Sequence, residues 1–205
     1  MRQDLMATKE AQKNWRSILQ KQVKVRKEKK NWEIEEKLPT VQEISALLTS
    51  DHADSLKSDL PPNYIQDVAV ARNIRDYLMF RVNIENGTRA GVISEITVNE
   101  FAAARSGDDD VLQVPVFKHK TATRGHGAMF LTFTQELYKL ISLYVRKARP
   151  LLATLNQEHL FTTDCGQKVL QPNKNLKAFA RRCALLTDGQ VDLLTSTMLR
   201  KVSFN

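Results

Sequence analysis

The chain has 205 residues, 42% of them hydrophobic and 26% charged, with a formal net charge of +8. That length can bury a substantial core in one or two domains, and the composition is globular, neither disordered nor membrane-like. No apolar run approaches the ~20 residues of a membrane helix, and Met1-Arg2-Gln3-Asp4 lacks the apolar core of a signal peptide, so an intracellular protein without a membrane partner is expected.

The charge is unevenly spread. Residues 1–30 hold ten Lys/Arg against three acids, which leaves the other 175 residues at +1. A basic arm on a near-neutral body points to nucleic acid or another anionic surface, against the plainer reading of a solvated lysine-rich helix. Residues 3–36 contain no glycine or proline, which predicts one long helix whose stripe of Trp15, Leu19 and Val23 is narrow. The run Lys24–Lys30 suits a nuclear import signal or phosphate contacts.

Leu38-Pro39 breaks this helix. Thr40 with Glu43 reads as a capping box leading into Ile44, Leu47 and Leu48, and residues 51–63 read as a polar linker. These marks divide the chain into a basic arm (1–37), a short helix with linker (38–62) and a main domain (63–205). A core helix is predicted from Asn63 to Val82, stopping at Asn86-Gly87. A short amphipathic turn restarts at Gly91 with Val92, Ile93 and Ile96 on one face. Between them, in an elbow flanked by glycines, stands Arg89. A glycine there permits positive φ, and the guanidinium can aim its donor fork at a phosphate; the plainer reading is a solvated residue at a helix C-cap.

Beyond a turn at 106–110, Val111–Phe117 and Ala128–Phe133 read as two strands of a hairpin, with Pro115 suggesting an edge or a bulge. Thr134 caps the clearest helix, in which Leu137, Leu140, Ile141, Tyr144 and Val145 keep helical spacing and Pro150 lies beyond the end. A basic helix follows over 172–185, Asp188-Gly189 breaks it, and a last helix starting near Thr195 or Ser196 carries Arg200. Cys165 and Cys183 lack metal-spaced partners and are expected as buried thiols. His119 and His126 flank the hairpin turn without a third ligand, so no metal site is expected.

In order, the chain offers a helix, an arginine elbow, a hairpin with Lys120 at its turn, an amphipathic helix and a second arginine helix. The segments Asn86–Thr97, Lys118-His119-Lys120-Thr121, His126-Gly127 and Ser196–Lys201 resemble the catalytic domain of tyrosine recombinases of the phage-integrase type, and most closely the eukaryotic versions carried by Crypton-, Ngaro- and DIRS-like mobile elements and their domesticated relatives. The likeness covers about residues 63–205. It implies an α+β, mainly α, recombinase-like core with a small antiparallel β-hairpin, preceded by the long basic helix. It further implies that Arg89 and Arg200 hold the scissile phosphate and stabilise charge on a phosphorane, while Lys120 acts as general acid, with Lys118 and Arg124 in reserve. His119, Thr197 and Lys201 fall among the DNA contacts. Double-stranded DNA is the implied partner, with copies of the chain assembling on it in the nucleus; no cofactor is implied.

Two features depart from the family. Thr197 stands where a histidine is expected, three residues before the second arginine. All four tyrosines (Tyr64, Tyr77, Tyr138, Tyr144) precede Arg200, whereas the nucleophile belongs beyond it. The chain is therefore expected to be cut before the nucleophile, or to have kept binding and lost chemistry. The alternative class is a domesticated, non-catalytic DNA-binding or protein-scaffold regulator.

Overall fold

The computed structural model describes residues 2–60, 65–107, 110–118, 127–153 and 157–203. These form two units, 1–38 and 39–205. The first is a single helix, α1 (Arg2–Glu35), with Trp15, Leu19 and Val23 exposed. Its sequence has few apolar residues to bury, and Ile18, Val25 and Trp32 are exposed as well.

The second unit is mainly helical with a small three-stranded antiparallel sheet. It opens with α2 (Val41–Leu48), where Thr40 and Glu43 form the expected capping box. Glu43 also accepts a hydrogen bond from Gln190, 147 residues away. Residues 51–59 are a helix, α3 (Asp51–Asp59), and not the expected linker. Ser50 accepts from the Ala53 amide, and Ala53 and Leu56 are buried one turn apart, so a polar-looking stretch carries a sufficient inward stripe.

The central helix is α4 (Val68–Asn86), capped by Asp67, and its residues 74–83 are buried without interruption. Against it pack α7 (Gln135–Lys147), α9 (Pro172–Cys183) and α11 (Ser196–Ser203). Phe179 of α9 meets Tyr77 and Phe80 with ring centroids 5.5 and 5.0 Å apart. Such pairs contribute about 0.5–1.5 kcal/mol each beyond area burial.

Short helices α5 (Ala90–Glu95) and α6 (Val98–Ala102) follow α4, and then the sheet. β2 (Leu112–Val116) pairs with β3 (Met129–Phe133) in the expected hairpin. β1 (Arg105–Ser106), in the region expected to be a turn, adds a third strand through Arg105 opposite Gln113. Val114, Val116, Leu131 and Phe133 face inward, as strand alternation requires.

Pro150 lies beyond the end of α7, as expected. It sits at the start of α8 (Arg149–Leu152), where a helix needs no amide donor. Asp188-Gly189 likewise opens α10 (Asp188–Leu193), because Thr187 and Gln190 form another capping box. Of the two cysteines Cys183 is buried, but Cys165 is exposed, since it lies in the turn before Gly166 and not on a helix face.

Candidate nucleic-acid interface

The elbow is built from three local causes. Gly87 ends α4 in the left-handed region at φ 53°, and its amide reaches the Asn83 carbonyl at 2.9 Å, a cap that suits glycine. Asn86 then acts as a strand substitute: its Nδ2 donates to the Thr132 carbonyl at 2.9 Å and its Oδ1 accepts from the Thr132 amide at 2.6 Å. The end of α4 is thereby fastened to the free edge of β3. Thr88 is buried, and Arg89 emerges as the N-cap residue of α5.

An arginine at an N-cap accepts no hydrogen bond from the helix amides, and Arg89 makes none. Helix capping therefore does not account for it; the C-cap of α4 is Gly87. The other glycine of the elbow, Gly91, lies inside α5 with nothing within 4 Å of where a Cβ would stand.

Beside the elbow lies a cavity of about 470 Å³, lined by Gly91, Glu95, Lys168, Asn173 and Lys174 among others. Glu95 is ion-paired with Lys168, and His159 Nε2 lies 4.0 Å from its second oxygen. Lys174 is exposed, and its amine has no partner among the described residues. Asn173 Oδ1 accepts from the Ser196 amide at 3.0 Å, which ties the start of α9 to the start of α11, the helix that carries Arg200.

The other arginines of this unit are mostly engaged. Arg72 and Arg75 hold Asp164, and Arg72's hydrogen bond keeps that carboxyl below its usual pKa. Arg75 and Arg182 hold the buried Asp76. Arg81 bridges Glu85 and Glu136, and Arg149 donates to the Gln157 and His159 carbonyls. Arg146 reaches the Ser142 carbonyl, and Arg181 pairs with Asp192. Among the described residues of this unit, Arg89, Arg105 and Arg200 are the arginines whose guanidinium groups have no hydrogen-bond or ion-pair partner. Arg89 and Arg105 are exposed and Arg200 is half-buried.

Thr197 is exposed one turn before Arg200, and Lys201 is exposed next to it. Lys118 is exposed and pairs with Glu158 at 3.2 Å. Arg181 and Arg182, on the basic helix α9, are both tied to carboxylates. Lys120, His119, Arg124 and His126 lie outside the described residues. The described tyrosines serve packing. Tyr77 and Tyr144 are fully buried, which raises both hydroxyl pKa values, and Tyr138 stacks on Phe101 at 4.5 Å. Tyr64 lies outside the described residues.

The Asn86 clamp predicts a local effect. Asn86→Ala frees an exposed strand edge, at a cost of roughly 0.5–1.5 kcal/mol. Urea unfolding should show that loss, and the Thr132 amide should exchange faster than its β3 neighbours. Unchanged exchange at Thr132 would mean that the clamp holds nothing.

No protein-family model matches the sequence, and no curated protein matches it. Among solved structures, the chain is similar to the crystal structure of XerA recombinase, with 14% identity and a TM-score of 0.43, over 68% of this chain and 47% of that one. The chain thus spans about half the length of that protein.

Proposed function

We propose that residues 39–205 form a recombinase-like domain that binds double-stranded DNA through its phosphates, with Arg89 and Arg200 as phosphate ligands and Lys120 as a further contact. One observation carries the reading. Of the described arginines within residues 39–205, the two at the recombinase-like positions are among the three that have no partner among the described residues, and Arg89 is presented by a fastened elbow. A planar donor fork held on rigid backbone and left unpaired suits a bidentate phosphate contact.

The full reaction of this class, strand cleavage and rejoining through a phosphotyrosine, needs a tyrosine free to attack phosphorus. Each described tyrosine is packed, so the chain is read as binding DNA without cutting it. Origin in a mobile element, nuclear residence and assembly of copies on DNA belong to the same proposal, and the basic residues of α1 supply further charge for it.

Fluorescence anisotropy with a labelled duplex tests the reading. Affinity is expected to fall steeply as salt rises, with a log–log slope of about −0.9 for each phosphate neutralised. Absence of duplex binding at low salt would overturn the proposal.

A further inference from the structure

The third arginine of residues 39–205 without a partner among the described residues, Arg105, lies elsewhere, on the outer face of the sheet. Register places Arg105, Gln113 and Thr132 in one outward row, and Pro115 opposite Phe130 in the next. Phe117 continues the outward set one step past the end of β2. Phe117 is 61% exposed and Phe130 55%, although an exposed strand position suits a polar residue. Neither ring has an aromatic partner among the described residues.

Phe117 is also held in place. Glu100 Oε1 accepts from its amide at 2.9 Å, while Oε2 closes the capping box of Thr97. The exposed ring therefore stands on fixed backbone. As diagonal neighbours on adjacent strands, the two phenylalanines are about 7–8 Å apart at the backbone, so each can present a separate ring face.

We infer that this sheet face binds unpaired nucleobases, with Phe117 and Phe130 as stacking platforms and Arg105 contacting the backbone of the same strand. Exposed aromatics on one face with an exposed cation are the combination that single-stranded nucleic acid uses, because every base offers a π face and every linkage a negative charge. A purely apolar protein partner has no use for Arg105. The inference shares a DNA partner with the proposed function but uses different residues.

The test measures full-chain affinity for a labelled oligothymidylate and for a duplex. Phe117→Ala and Phe130→Ala are each expected to weaken oligothymidylate binding roughly 5- to 150-fold, the range for loss of one base stack, and to leave duplex binding unchanged. Phe130→Tyr keeps the stack and should bind as the parent does, whereas Phe130→Leu keeps apolar bulk and should bind weakly. Oligothymidylate affinity that is unchanged in folded alanine variants overturns the inference, as does a leucine variant equal to the parent, which indicates an apolar protein contact. Because Arg89 lies off this face, loss of duplex binding in Arg89→Ala alone bears on the preceding proposal and not on this one.

Discussion

Arg89→Ala is expected to weaken duplex DNA binding roughly 10- to 150-fold, the equivalent of about 1.5–3 kcal/mol for a hydrogen bond to a charged group. Stability should stay within about 0.5 kcal/mol of the parent, because the side chain is exposed and touches no partner among the described residues. The salt slope should fall by about one unit. Arg89→Lys separates charge from shape: it keeps the cation and loses the planar fork, so it should recover only part of the loss. Arg181→Ala serves as a control. Arg181 is exposed and basic but already paired with Asp192, so its removal should change duplex affinity far less. Equal losses at Arg89 and Arg181 would reduce the elbow to one more surface charge.

What could be read in advance follows from how far each signal reaches along the chain. Thr40 with Glu43, Thr134 ahead of α7, and the glycine ending α4 act over three or four residues, and each appears where the sequence placed it. The errors are of two kinds. At 51–59 and 188–193 the composition suggested linker and break, yet Ser50 and Thr187 supply caps, and Ala53, Leu56 and Val191 supply enough apolar contact to hold short helices. The other kind is non-local. Asp76 beside Arg75 and Glu85 one turn after Arg81 are local partners, but the rest of what engages Arg75, Arg81 and Arg149, namely Asp164, Glu136 and the His159 carbonyl, is reached only on folding. The Asn86 clamp onto Thr132 spans 46 residues and was equally hidden. Arg89 was identifiable as a candidate from its glycines; its lack of a partner emerges only once the competing carboxylates are located.

Those carboxylates also set the largest stability effect. Asp76 is buried, with its side chain 2% exposed, and accepts from Arg75 Nε at 3.0 Å, Asn175 Nδ2 at 2.7 Å and Arg182 at 3.0 Å. Its removal strands the buried Arg75 cation, whose remaining acceptors are the Thr162 carbonyl at 2.8 Å and Asp164 at 3.3 Å. Breaking a buried pair on one side costs about 3–5 kcal/mol, and the remaining acceptors place Asp76→Ala toward the lower end. Urea unfolding should show a shift of that size, against less than about 1 kcal/mol for removal of the exposed Arg181–Asp192 pair. The direction reverses when both charges leave together. Arg75→Met combined with Asp76→Leu should recover much of the single-variant loss, because neither member then remains buried and unpaired. The network joins α4 to α9, and the start of α9 lines the cavity beside the elbow. A destabilised Asp76→Ala protein should therefore also lose duplex affinity, and the double replacement should restore affinity in step with stability. If stability returned without affinity, Asp76 would have to act on the interface directly, which its burial opposes.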